Sequence, residues 1–172
     1  MHHAYVQVYT GNGKGKTTAA LGLTLRAAGA GMRVFFSQFL KGADYSELAG
    51  LQRFDDLVTI RQFGEPGFIR GNPTEADMAA GRAGLKCAAE ALTDGSYHVV
   101  VLDEAALACK LGIIETPELL EAIQNRAPGV EVIITGRNAP EELIQAADLV
   151  TEMREIKHYF SRGVAARKGI EK

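Results

Sequence analysis

Tyr9-Thr10-Gly11-Asn12-Gly13-Lys14-Gly15-Lys16-Thr17-Thr18 is the stretch on which the reading of this chain turns. Upstream, Tyr5 to Tyr9 alternates as a strand does, and downstream Thr17 to Ala28 has the composition of a helix. Strand, glycine turn and helix in that order are the context a phosphate-binding loop requires. The glycines leave the backbone free to curl, so that consecutive N–H groups point into one concavity at the positive end of a helix and hold phosphate oxygens. Lys16 adds a point charge for the outer phosphates, and the Thr17 hydroxyl is placed to reach a bound magnesium ion. Gly11, Asn12, Gly13, Lys14, Gly15, Lys16, Thr17 and Thr18 are therefore the candidate nucleotide-binding residues. Thr10 stands where the strict G-x-x-x-x-G-K-[ST] pattern puts its first glycine.

The plainer alternative is a glycine-rich turn that merely precedes a helix. A second motif speaks against it. Val99-Val100-Val101-Leu102 is an apolar run that ends in Asp103-Glu104, two carboxylates of the kind that hold magnesium or its waters opposite the loop. Acids decorating a helix N-terminus are the alternative for that pair. Arg137, in Thr135-Gly136-Arg137, is positioned to reach an anionic ligand at the same edge, with a solvated surface arginine as its alternative. Lys14 offers further positive charge to a phosphate-rich ligand, or simply faces solvent.

Working outward, strand-like runs at Tyr5–Tyr9, Arg33–Phe39, Val58–Phe63, His98–Asp103 and Glu131–Thr135, with a sixth at Leu149–Met153, alternate with helical windows. The pattern predicts an α/β fold, a single P-loop NTPase domain over residues 1–172 whose mostly parallel central sheet of five to six strands carries helices on both faces. The continuous apolar runs at 99–102 and 132–134 belong in the middle of that sheet. Thr74 with Asp77 three residues on caps a helix reaching Leu92, whose stripe Ala76, Ala80, Ala83, Cys87, Ala91 is expected to face inward. Thr116-Pro117 opens another helix, stopped by Pro128-Gly129. The linkers Lys41–Tyr45 and Gly64–Pro73 both follow strands, which puts them at the ligand-binding edge of an open parallel sheet.

Composition narrows the classes further. At 172 residues, 47% hydrophobic and 23% charged with only 5 Pro, the chain has the make-up of a globular domain with one core, not of a disordered one. Lys and Arg number 19 against 21 Asp and Glu, so the net charge of -2 supplies no general pull toward nucleic acid or an anionic membrane, and any anion site must be local. No apolar run approaches a membrane span and the start lacks a secretory h-region, from which a cytoplasmic location is expected. Cys87 and Cys109 stand alone as reduced, structural thiols; His2 and His3 read as a frayed terminus, and His98 as structural.

Beyond the loop, Gln38-Phe39-Leu40-Lys41-Gly42, Glu75-Ala76-Asp77, Val100-Val101-Leu102-Asp103-Glu104, Thr135-Gly136-Arg137, Ala147-Asp148-Leu149-Val150-Thr151-Glu152-Met153, Lys157-His158, Gly163 and Gly169-Ile170-Glu171 occur in one order. That ordered set, with Gly11–Ala20, resembles the ATP:corrinoid adenosyltransferases, the cob(I)alamin adenosyltransferase family of RecA-like fold, over nearly the whole chain. The resemblance implies transfer of the 5'-deoxyadenosyl group of ATP to cobalt(I) of a corrinoid, with tripolyphosphate leaving. It implies that Gly11–Thr17 bind the phosphates, that Lys16 and Lys14 neutralise them, that Thr17 and Glu104 hold Mg2+ (or Mn2+), and that Asp103 stands behind those ligands. It implies as well a flavoprotein-type electron donor, a homodimer, and Phe68 at the lower corrinoid face. His158 matches the family pattern and is given no catalytic role.

Three departures from the family pattern stand out, of which the first bears on the corrinoid side and the other two are peripheral. Arg70 stands where many members carry Trp, Tyr159 where proline is common after Lys-His, and Lys172 where an aromatic is frequent. The first strand starts within a few residues of Met1, so the N-terminal extension that covers the corrinoid in some relatives is expected to be missing. Two other classes share the loop: a small P-loop kinase, which needs an arginine-rich lid, and a RecA-like nucleotide switch, which needs a partner or DNA surface. Ala105-Ala106-Leu107-Ala108, after the acids, carries no polar group to orient a hydrolytic water.

Overall fold

Six runs rich in β-branched and aromatic residues form one sheet in the computed structural model, which describes residues 3–67, 69 and 71–172. They are β1 (Val6–Thr10), β2 (Val34–Phe39), β3 (Val58–Phe63), β4 (Val99–Asp103), β5 (Glu131–Thr135) and β6 (Leu149–Glu152). The order is β3-β2-β4-β5-β1-β6 and every pairing is parallel. This is the α/β architecture expected, with β4 and β5 at its centre.

Strand periodicity sorts the side chains onto two faces. Val100 and Leu102 of β4 and Val132 and Ile134 of β5 join one core; Val99, Val101 and Ile133 join the other. Helices cover both: α1 (Lys16–Gly29) and α2 (Ser46–Leu51) contribute Ala20, Ala27, Ala28 and Leu51 to the second core, whereas α3 (Glu75–Thr93), α4 (Ala105–Lys110), α5 (Thr116–Gln124) and α6 (Glu141–Ala146) contribute to the first. Each fully buried Val, Leu or Ile contributes about 1.5–3 kcal/mol of transfer free energy. Both cores are needed, because a parallel sheet is stable only when covered on both sides.

Helix α3 begins as its sequence predicts, with Thr74 and Asp77 forming a reciprocal capping box. Its inward face differs from the expected alanine stripe. Ala76 and Ala83 are exposed, and the buried residues are Gly81, Gly84, Leu85, Ala88, Ala91 and Leu92. The cause is close approach at the glycines: a Cβ on Gly84 would lie 2.8 Å from Phe39 Cε1 and 2.9 Å from Phe63 Cγ. The helix therefore rotates to press glycine, not alanine, onto the aromatic ends of β2 and β3.

His98 is structural: its Nδ1 accepts from the Arg33 N–H at 3.0 Å and its own N–H donates to the Arg33 carbonyl at 2.9 Å, tying β4 to β2 where both strands begin. Because all strands run the same way, Thr10, Phe39, Phe63, Asp103, Thr135 and Glu152 end together at one edge. Among the described residues no helix is long and apolar enough to cross a membrane.

Candidate active site

The loop between β1 and α1 lies at that edge. Gly11 and Gly15 take φ of 94° and 114°, values open to glycine at little cost. A different constraint acts on Gly13. Its N–H donates to the Met153 carbonyl at 2.7 Å, while Met153 N–H donates to the Thr10 carbonyl at 2.8 Å. A Cβ on Gly13 would sit 2.7 Å from Met153 O and 2.9 Å from Arg154 C, so the chain leaving β6 occupies the space a side chain needs. The buried Lys16 curls back over the loop, its Nζ donating to the carbonyls of Gly11 and Gly13 at 2.7 Å each. Burial lowers its pKa, and the carboxylate of Glu104 works in the other direction.

Across from the loop, Asp103 is wholly buried yet fully partnered. Its Oδ1 accepts from Thr17 Oγ1 at 2.8 Å and Thr135 Oγ1 at 2.7 Å; its Oδ2 accepts from Lys41 Nζ at 2.9 Å and, weakly, from Gln38 Nε2 at 3.4 Å. Glu104 is the contrast. It adopts φ 61°, its N–H donates to Thr135 Oγ1 at 2.9 Å, and its Oε2 is buried with no partner. Burial, reinforced by the Asp103 charge, raises its pKa. A buried polar atom left unpaired costs about 1–3 kcal/mol, more when charged.

Such an orphaned carboxylate oxygen fits a hard divalent cation, which takes oxygen donors. Thr17 fits too, since its proton is committed to Asp103 and its lone pairs remain free. With four protein donors on its carboxylate, Asp103 is built to hold Thr17 in place. No group of three or more His, Cys, Asp or Glu among the described residues could hold a metal ion alone, so a cation here would need further oxygens from water or a bound ligand.

Gly13, Lys14, Gly15, Lys16, Thr17, Thr18, Glu104 and Arg137 line a single cavity of about 590 Å³; Gly11 and Asn12 belong to the loop behind it. Arg137 is exposed there, after Gly136, whose φ of 147° brings it against Ala106 of α4. Lys41 and Tyr45, from the first linker, also line it. A second cavity of about 260 Å³ is formed by Leu40, Thr74 and Asp77 with Glu65, Pro66, Gly67, Ile69 and Asn72 of the second linker. Phe68 and Arg70 lie outside the described residues. His158 lines the larger cavity, and its Nδ1 accepts from the Phe160 N–H at 3.0 Å.

Sequence reasoning did not assign the partners of Asp103. Thr135 and Gln38 sit on strands that flank β4, and Lys41 follows one of them; their convergence depends on the order β2-β4-β5, which spacing along the chain does not reveal. The signal within reach was position, since each lies at a strand end on the ligand-binding edge.

Comparison with known proteins gives one consistent result. The family model for ATP:corrinoid adenosyltransferase BtuR/CobO/CobP matches residues 2–171. The chain is 42% identical over 165 residues to a corrinoid adenosyltransferase of Pseudomonas aeruginosa, covering 95% of this chain and 81% of that protein. It is 38% identical to one from Sinorhizobium sp, covering 95% and 78%, and 37% identical to one from Escherichia coli K12, covering 95% and 83%.

Proposed function

The chain belongs to the ATP:corrinoid adenosyltransferase family, enzymes that use ATP to adenosylate a corrinoid, and from that premise we propose that residues 1–172 act as one domain that releases tripolyphosphate in the transfer. In this reading Gly11–Thr18 cradle the phosphate chain, and Lys16 leaves the carbonyls of Gly11 and Gly13 to donate to phosphate oxygens. A charge-assisted hydrogen bond of that kind is roughly twice as strong as one to a neutral carbonyl. Lys14 and Arg137 add positive charge along the same wall. Thr17 and Glu104 would hold Mg2+ (or Mn2+), which when bound neutralises charge on the phosphates. Asp103 keeps the Thr17 hydroxyl turned toward that position.

The protein's part in the chemistry is placement. Cobalt(I) of the corrinoid substrate is itself the nucleophile at C5' of ATP, so no side chain has to form a covalent bond. What the chain must do is fix the nucleotide with C5' presented and stabilise the departing tripolyphosphate. The second linker, with Phe68 and the cavity at Leu40 and Ile69, is the face we assign to the corrinoid; it follows β3 at the same edge as the nucleotide cavity. Cobalt(I) forms only at very low potential, which is why a flavoprotein-type reductant is part of this reading. A homodimer in the cytoplasm is its remaining part.

The observation that carries the proposal is Glu104, lining the loop's own cavity with one buried oxygen unpartnered, followed by Ala105–Ala108 with no group to orient an attacking water. Phosphate grip with Glu104 given over to the cation, and no further polar group after it to orient water, suits a reaction in which the phosphates leave intact. Phosphorus NMR of the spent nucleotide, with a cobalt(I) corrinoid present, tests it. Tripolyphosphate is expected; ADP with inorganic phosphate would overturn the reading in favour of a kinase or ATPase.

A further inference from the structure

The lining of the 590 Å³ cavity is chemically divided. Lys16, Thr17, Glu104 and Arg137 make a charged part suited to phosphate and cation. Away from them the lining is Leu21, Tyr45 with Lys41 beside its ring, Ser46, Glu47, His158 and the segment Gly169–Lys172, a mixture of apolar, aromatic and hydrogen-bonding groups that suits a nucleoside. The segment 167–172 pairs with no strand and contributes nothing to either core. It is nevertheless tied down at both sides of the cavity: Lys14 Nζ donates to the Ile170 carbonyl at 3.3 Å, and Ser46 Oγ donates to the Lys172 backbone oxygen at 2.9 Å.

Its shape comes from within. The N–H groups of Ile170, Glu171 and Lys172 converge on the Arg167 carbonyl at 3.2, 3.0 and 3.3 Å. The Glu171 carboxylate accepts from the Arg167 N–H at 2.9 Å, from the Arg167 guanidinium at 3.0 and 3.2 Å, and from the Tyr159 hydroxyl. The guanidinium lies over the Tyr159 ring, 5.1 Å from its centroid. The Arg167 and Tyr159 donors hold the Glu171 carboxyl down at about 2, so the cluster stays ionised and assembled at neutral pH. A turn built this way is ordered before any ligand arrives, which spares the ligand that ordering cost.

We propose that residues 167–172 form the nucleoside wall of the nucleotide cavity, with Glu171 and Tyr159 as its positioning residues. The wall sets the fit of sugar and base and leaves the phosphate grip to the loop. This deepens the nucleotide reading above and rests on it.

Equilibrium binding of Mg-ATP and of Mg-tripolyphosphate to the wild type, Glu171→Ala and Tyr159→Phe separates the two parts of the cavity. Glu171→Ala is expected to weaken ATP about tenfold, the cost of ordering a loosened segment on binding, and to leave tripolyphosphate within about twofold. Turnover should show a raised KM for ATP with kcat and the corrinoid KM unchanged; Tyr159→Phe, which keeps the ring and loses the hydroxyl, should fall in between. Equal weakening of both ligands, no change, or tighter ATP binding would each overturn the proposal, the last by making the segment an obstruction. If Glu171→Ala fails to fold, Tyr159→Phe carries the same comparison. A wild type that binds neither ligand would instead bring down the nucleotide reading, and this wall with it.

Discussion

Replacing Lys41 by methionine keeps most of the side-chain volume and removes one positive charge from beside the wholly buried carboxylate of Asp103. The ammonium lies 2.9 Å from Asp103 Oδ2 and 3.8 Å from Glu47 Oε1, with 15% of its side chain exposed. Burial alone pulls the Lys41 pKa down, but the charge and hydrogen bond of Asp103, with the charges of Glu47 and Glu104, together outweigh it and the net shift is upward. Stability drawn from a raised lysine pKa is fully present below the unfolded value of about 10.4 and fades only as pH climbs through the folded one, so an assay at neutral pH reads all of it. Removing one partner of a buried pair costs about 3–5 kcal/mol. Here Thr17, Thr135 and Gln38 still donate to the carboxylate, which lowers the expected loss to about 2–3 kcal/mol. Urea unfolding of the wild type, Lys41→Met, Asp103→Asn and the double variant gives the pair's coupling directly, and about 2 kcal/mol is expected. Arg82 and Glu75, also 2.9 Å apart but with side chains 58% and 87% exposed, serve as the internal control and should couple by less than about 0.5 kcal/mol. If the Lys41–Asp103 cycle came out no larger than that control, the account of Asp103 as a buried hub would be wrong.

Lys16→Ala should lower adenosyl transfer by at least about a hundredfold, because it removes a charge that developing phosphate charge requires; steady-state kinetics with saturating ATP checks this. Glu104→Gln should weaken the divalent-cation dependence of ATP binding and, without ligand, stabilise the fold as pH rises. The sign follows from an acid whose folded pKa is raised: wild-type stability is fully present at low pH and is lost as pH climbs from the unfolded value of about 4.3 through the folded one, a loss the amide does not share. Melting temperatures of both proteins, followed as pH rises from about 4, should therefore diverge in the variant's favour, and parallel curves would count against it. Gly84→Ala should destabilise by about 1–3 kcal/mol through overpacking on Phe39 and Phe63, whereas Gly22→Ala, with open space around its Cβ, should stabilise α1 by about 0.5–1 kcal/mol. Denaturation midpoints decide both. Cys109, whose thiol burial pushes up to about 11, should resist alkylation at neutral pH in the folded protein and react readily in urea.

The strands were legible because each is a short run of Val, Ile, Phe or Tyr bounded by glycine or charge, and their ends agree with the sequence reading to within one residue. Helices α1, α3 and α5 announced themselves through caps and stops. Helices α2, α4 and α6 did not, because six residues make fewer than two turns and cannot display a periodic apolar stripe. The buried face of α3 was misplaced for a different reason: Gly81 and Gly84 have no side chain to count in a hydrophobic pattern, yet they are what lets the helix approach Ile113, Phe39 and Phe63. At the site, the loop residues and Glu104 could be named from motif alone. Lys41, Gln38 and Thr135 could not be assigned to Asp103, since they come from two stretches, the ends of β2 and β5, that meet β4 only when the sheet is assembled. Tyr159, noted only as a departure from a common proline, turns out to hydrogen-bond Glu171 beside the cavity.

The last strand to join the sheet, β6, has one neighbour and is exposed along its whole length, so it is the margin from which the structure should begin to unravel. The same chain, one residue further on, is clamped against the collar of amides that would clasp the phosphates. Fraying at this rim and slackening of the anion clasp should thus be a single event. A nucleotide drawing the collar tight would in return staple the rim shut, and amides of Val150 to Met153 should exchange with deuterium more slowly in its presence, while those at the sheet's centre barely notice.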